Sequence, residues 1–186
     1  MFQQILASLA ESLDSHRIPY MIIGGQAVLL YGEPRLTRDI DVTLGANIDR
    51  LSDVLELMEG VGLTPLPEDV ENFVQKTMVL PASQGDTGVR VDFIFSFTPY
   101  EREAISRANM VSLAGREIAF ASVEDLIILK IFAGRPRDLE DVRSILLRNP
   151  DVDKGYIRRW LEEFDQTAEG SSFTGVFDGI AAETLK

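Results

Sequence analysis

Asp39 and Asp41 stand one residue apart inside an apolar run, DIDVTL, and fifteen residues before Asp39 an earlier apolar run, YMII, gives way to Gly24-Gly25. Side chains alternate between the faces of a strand, so both carboxylates share one face while Ile40 and Val42 take the core face. Two carboxylates side by side repel, and both stay ionised only beside positive charge. A divalent cation would supply it, because magnesium takes oxygen ligands and is often held by one or two carboxylates together with substrate phosphates. A structural use is equally open at this point: charge on an edge strand blocks aggregation, and Asp39 could pair with Arg35 or Arg38.

The glycine pair narrows the choice. A strand that ends in two glycines and turns into a helix places backbone N–H groups and the positive end of the helix at one point. Without Cβ atoms the backbone can approach a phosphate closely. A third element, VRVDFIF (89–95), alternates Val89, Val91, Phe93 and Phe95 onto one face and leaves Asp92 on the other. If this strand neighbours the Asp39 strand, Asp92 completes a carboxylate triad. Two metals about 4 Å apart, bridged by such a triad, form the clamp for in-line displacement at phosphorus. The plain alternative is an Asp92 neutralised by nearby arginine.

Periodicity places these motifs on a coarse frame. Ile5, Leu6, Leu9 and Leu13 have the spacing of a first amphipathic helix, and Gln26–Tyr31 reads as a short one stopped by Gly32 and Pro34. Asn47 is expected to cap a helix over 48–60, and 68–75 to form another. Strands are expected over 77–80 and 89–95, joined by the turn-rich ASQGDTG, with a hairpin at MVSL–AG–REIAF. Ser122 and Asp125 resemble a capping box for a helix to Ala133, with two more helices over 139–147 and 156–164. The last twenty residues look loosely ordered or like a small appended element. The sum is an α+β (mixed α/β) chain, a mixed sheet flanked by helices, with a core at 1–121 and a helical C-terminal part at 122–186.

Charge and composition set outer limits. With 186 residues and 45% apolar content the chain can bury one real core. Having no cysteine, it offers no thiol nucleophile and no Cys-based zinc site. The N-terminus lacks a basic leader, and the most apolar stretch, 126–133, is broken by Lys130 and too short to span a bilayer. A cytoplasmic protein with no membrane partner is the expectation. A net charge of −12 argues against a general nucleic-acid coat, although residues 130–159 carry a local excess of three cations. Lys130 interrupts the apolar VEDLIILKIFAG, where a buried ammonium without a partner would be costly. It either snorkels to the surface or points at a site.

The combination of Gly24-Gly25, a thirteen-residue spacer, Asp39-Ile40-Asp41-Val42 and a later strand aspartate, Asp92, resembles the nucleotidyltransferase superfamily, with its DNA polymerase β-like core. Arg35 and Thr37 before DID, then Lys130 and RPRDLED (135–141), are similar to a minimal bacterial branch that contains AbiEii-type toxin nucleotidyltransferases. The resemblance implies a nucleotidyltransferase fold and transfer of a nucleoside monophosphate from an NTP to an acceptor, with release of pyrophosphate. It implies that Gly24 and Gly25 hold the triphosphate with Thr37 or Arg38 nearby, and that Asp39, Asp41 and Asp92 bind magnesium, or manganese in its place. Asp92 would otherwise take the acceptor's proton. Lys130 would touch phosphate, and Asp138 or Asp141 would orient a basic group or the base. Gln26 departs from the small or hydroxyl residue common after the glycines. The acceptor stays open among a tRNA, a protein and a small molecule such as an aminoglycoside. A cognate toxin or antitoxin partner fits the same branch, and a catalytically silent nucleotide-binding or antitoxin-like protein-interaction module is the alternative.

Overall fold

The structure, a computed structural model, describes residues 2–185 other than Asp86, Phe97 and Glu169. The expected turn ASQGDTG therefore contains one residue outside the described set, and the expected loose tail two. In chain order the elements are α1 (Phe2–Ser15), β1 (Tyr20–Ile23), α2 (Gly24–Tyr31), β2 (Asp39–Gly45), α3 (Leu51–Gly60), β3 (Leu63–Pro65), α4 (Val70–Thr77), β4 (Val79–Gln84), β5 (Arg90–Ser96), α5 (Pro99–Ser106), β6 (Asn109–Leu113) and β7 (Arg116–Phe120). Four helices follow: α6 (Val123–Ala133), α7 (Pro136–Arg148), α8 (Lys154–Thr167) and α9 (Phe173–Thr184). The elements fall into two compact units, Met1–Gln26 with Thr37–Ala121, and Ala27–Leu36 with Ser122–Lys186.

The first unit is built on a mixed sheet whose described strands run in the order β3-β4-β5-β2-β1-β7-β6. Strands β2 and β5 lie parallel at its centre, flanked by β1 and β4, which are antiparallel to them. Period-two alternation is the reason both can sit there. Ile40, Val42 and Leu44 stand opposite Val91, Phe93 and Phe95, and none of the six is more than 2% exposed. Each such side chain contributes about 1.5–3 kcal/mol of burial, enough to fix the register against a slip. Helix α1 buries Ile5, Leu6, Leu9 and Leu13, as their spacing predicts, and packs on β7 and α3.

Two local expectations change. Asn47 makes no side-chain cap; a 3₁₀ turn, Ile48–Arg50, comes first, and Arg50 pairs with Asp53 and donates to the His16 carbonyl at 3.0 Å. The strand expected over 77–80 begins at Val79 and continues through Pro81 to Gln84. Proline removes only its own N–H from a ladder, and the Pro81 carbonyl still accepts from Leu66 at 2.9 Å. The chain Leu63–Pro65, given no element in the sequence reading, pairs with β4 as a short strand.

In the second unit Ser122 caps α6 as expected. Its hydroxyl accepts from the Asp125 N–H at 3.1 Å and donates to Asp125 Oδ2 at 2.6 Å. Tyr156 on α8 donates to the other oxygen of that buried carboxylate at 2.8 Å. In the tail, α9 buries Phe177, Ile180 and Ala181, an i, i+3, i+4 stripe, against α7 and α8. Asp165 on α8 accepts the N–H groups of Phe173 and Thr174 at 2.6 and 3.1 Å, capping α9 from a neighbouring helix. Arg158–Asp178 and Arg143–Glu183 pairs join α9 to α8 and α7, so part of the local cation excess is met inside the unit. Among the described residues no helix is long and apolar enough to cross a membrane.

Candidate active site

The first unit gathers the glycine pair and the three aspartates at the middle of its sheet. Strand β1 pairs antiparallel with β2 so that Ile23 stands opposite Asp41, which sets Asp41 beside the next residue, Gly24. Strand β5 pairs parallel with β2, with Asp41 opposite Asp92 and Asp39 opposite Arg90. All four side chains share the face that leaves the core, and the condition stated for Asp92 in the sequence, that its strand neighbour Asp39's, holds in the structure.

Helix α2 begins at Gly24 itself, so the pair is the first turn of the helix rather than a link before it. Gly24 has φ +63°, a conformation glycine adopts freely. A Cβ there would lie 2.8 Å from Cγ of Asp41 and closer still to Oδ2. A Cβ on Gly25 would lie 2.9 Å from Cβ of Thr37 and closer still to its hydroxyl. The glycines therefore seat the chain's own Asp41 and Thr37 against the opening of the helix, a reason for them that the sequence reading lacked. Gly24→Ala is expected to destabilise the fold by about 1–3 kcal/mol, the size of a strained left-handed residue. Denaturant melts would check this against Gly60→Ala, where a Cβ meets nothing within 4 Å and the change should be neutral or better.

Two further side chains brace the strand entry. Thr37 Oγ1 and Gln26 Nε2 both donate to the Asp39 carbonyl at 3.4 Å, and Gln26 is buried. Gln26, the departure from the common pattern, thus has a backbone partner thirteen residues on. Arg38 is exposed on the same approach.

Arg90, two residues before Asp92 in the sequence, is its partner in the structure. Its Nε donates to Asp92 Oδ1 at 2.9 Å. That hydrogen bond, with the charges of Asp92, Asp39 and Asp41, holds its guanidinium protonated more firmly than an ordinary arginine. Only the register shows why: Arg90 occupies the fourth corner of a square whose other corners are the aspartates.

Hard oxygen donors on one face, two of them directly opposite on adjacent strands, fit a divalent cation in chemistry and placement. As the side chains stand, the described residues hold no group of three acidic or histidine side chains closed on one point. Asp92 is turned to Arg90 instead.

The second unit carries the other residues singled out in the sequence. Lys130 is buried on α6, and its Nζ lies 2.6 Å from Asp138 Oδ1 and 2.9 Å from Asp141 Oδ2, both on one face of α7. Arg35 holds Asp141 through two parallel hydrogen bonds of 3.0 Å, and Arg135, largely exposed, holds Asp138 at 2.5 Å. Burial pushes the Asp138 carboxyl up, but the hydrogen bonds and charges of Arg135 and Lys130 outweigh it and hold the carboxyl below its usual range. Lys130 therefore does not snorkel. Its charge is met within its own unit, and any contact with phosphate would first require release from two carboxylates.

Known proteins of this architecture share the fold at low identity. The chain is similar to the antibiotic-resistance factor ANT(2'')-Ia, with 19% identity and a TM-score of 0.58 over 89% of this chain and 91% of that one. It is similar to an antigenic nucleotidyltransferase-like protein from Paracoccidioides brasiliensis at 16% identity and a TM-score of 0.58, over 95% and 91% of the two chains. A third likeness is to the lincosamide antibiotic adenylyltransferase LnuA, at 15% identity and a TM-score of 0.53 over 76% and 94%. The expected mixed α/β nucleotidyltransferase fold is thus the one observed. No curated protein sequence matches the chain. One family does match, over residues 1–172 of the 186, and the chain belongs to it: the family described as Nucleotidyltransferase of unknown function (DUF6036).

Proposed function

We propose that the protein transfers a nucleoside monophosphate from an NTP to an acceptor hydroxyl, releasing pyrophosphate, with magnesium (or manganese) bound at Asp39, Asp41 and Asp92. The observation that carries this reading is the register that sets Asp41 against Gly24 on one side and opposite Asp92 on the other. The bound cation would neutralise charge on the phosphates and on the developing transition state. The chain's own residues do the rest. The N–H groups that open α2 at Gly24 and Gly25 receive phosphate oxygens at the positive helix end. Thr37 and Arg38 flank the phosphates, and Gln26 and Thr37 hold the Asp39 backbone in place. Where the cation is held by Asp39 and Asp41 alone, Asp92 instead accepts the proton of the attacking hydroxyl. Positioning and charge neutralisation carry most of such a reaction. Lys130 and Asp138 belong to this reading only as supports of their own unit.

The acceptor class is open among a tRNA, a protein and a small molecule. The fold shared with ANT(2'')-Ia and LnuA makes an antibiotic a natural first candidate for the last. The similarity to AbiEii-type toxins supports the first two, because modifying a cell's own tRNA or protein is harmful and calls for a cognate antitoxin. Incubation with each α-labelled NTP and Mg²⁺, in separate reactions with total tRNA, cell extract, an aminoglycoside and a lincosamide, is expected to label one acceptor class. Toxicity on expression should accompany the first two outcomes and not the third. Absence of both transfer and NTP binding would overturn the proposal in favour of a silent interaction module.

A further inference from the structure

We infer that Arg90 is a resident counter-ion that holds Asp92 out of the metal site, and so makes cation binding depend on nucleotide. The inference rests on the proposed metal site and concerns its regulation. Strands β2 and β5 set Asp39 opposite Arg90 and Asp41 opposite Asp92, so three carboxylates and one guanidinium occupy neighbouring positions on one face. Directly opposite side chains on adjacent strands lie roughly 5 Å apart at Cβ, close enough for each charge to act on the others. The guanidinium is committed to Asp92 at 2.9 Å, and Arg90 remains half-exposed, so its stem is free to swing.

Two consequences follow from this charge arrangement. Asp92 has to leave Arg90 before it can join Asp39 and Asp41 on a cation, and the apparent affinity for the cation falls by the fraction of molecules in which it has left. Arginine stays protonated throughout the working pH range, so this competition cannot be relieved by deprotonation. A nucleoside triphosphate changes the balance by offering the displaced guanidinium phosphate oxygens, which it binds as readily as a carboxylate. Cation and nucleotide then favour each other's binding, and by linkage the coupling is the same in both directions. In the absence of nucleotide the site's own arginine weakens cation binding.

Binding of Mn²⁺ to the nucleotide-free full chain, followed by electron paramagnetic resonance, tests this. Arg90→Met removes a fixed positive charge from beside the cation and is expected to tighten Mn²⁺ binding about tenfold. Arg90→Lys keeps the charge and should stay within about threefold of wild type. The strengthening of Mn²⁺ binding by a non-hydrolysable NTP analogue should shrink in Arg90→Met. The sign is diagnostic, since a variant that merely damages the fold would bind Mn²⁺ more weakly. Arg90→Gln provides a second neutral variant if methionine lowers the yield of folded protein. Unchanged or weaker Mn²⁺ binding in both neutral variants, while Asp39→Asn abolishes it, overturns the role of Arg90 alone. Mn²⁺ binding that is insensitive to Asp39→Asn overturns the metal site itself.

Discussion

Replacing Lys130 by methionine is expected to lower the free energy of unfolding by about 3–5 kcal/mol, the loss typical of removing one partner from a buried ion pair. The ammonium is 7% exposed and sits between Asp138 and Asp141. Its removal leaves Asp141 with Arg35 and Asp138 with the exposed Arg135, so both carboxylates stay buried with half their charge compensation gone. Urea unfolding would measure the loss. A lysine that served only a nucleotide would behave differently, leaving stability intact and raising the KM for NTP. The same cluster fixes an acid response. Asp138 has its carboxyl held low in the folded state, so it binds its proton more readily when unfolded. Its contribution is fully present above the unfolded carboxylate pKa of about 4 and is lost as pH falls through the lower folded value. In Lys130→Met the folded value moves back toward the unfolded one, and the decline of stability in that acid range should flatten.

Asp41→Asn should have the largest effect on activity. In the proposed reaction several kilocalories of transition-state charge stabilisation would depend on a cation held by this carboxylate, and about 4 kcal/mol corresponds to a loss of transfer near a thousandfold. The fold should survive, since asparagine is nearly isosteric and relieves repulsion among neighbouring carboxylates. Label transfer from an α-labelled NTP, read beside a thermal melt, separates the two effects. Full activity in this variant would remove the proposed cation site. Loss of both activity and folding would point to the Gly24 seat instead, where Asp41 is packed against the backbone.

Local chemistry made much of this site legible in the sequence. Alternation in DIDVTL and VRVDFIF gives the exposed and buried faces directly, and the structure keeps both except at Thr43, which is buried on the aspartate face. Ser122 and Asp125 are three residues apart, so their cap needs no knowledge of the rest of the chain. What the sequence could not yield was register. Arg90 is visibly two residues from Asp92, but its place opposite Asp39 exists only once β5 is laid beside β2. Lys130 posed a choice between surface and site because its partners come from a different helix and, for Asp141, from a network that reaches back to Arg35. Helix α9 was obscured in the same way: glycines at 175 and 179 weaken its local signal, while its cap comes from Asp165 on α8.

The antiparallel β1–β2 pair carries a consequence for quality control. A slip of β2 by one residue would turn Asp39 and Asp41 into the core and put Ile40 and Val42 in water, because the strand period is two. Buried charge of that kind is prohibitive. The misaligned chain would therefore fail to fold at all, instead of folding into an inactive protein. In this chain the ladder of hydrogen bonds that fixes the core register also spaces the groups proposed to act on the nucleotide, so folding and site assembly answer to one measure.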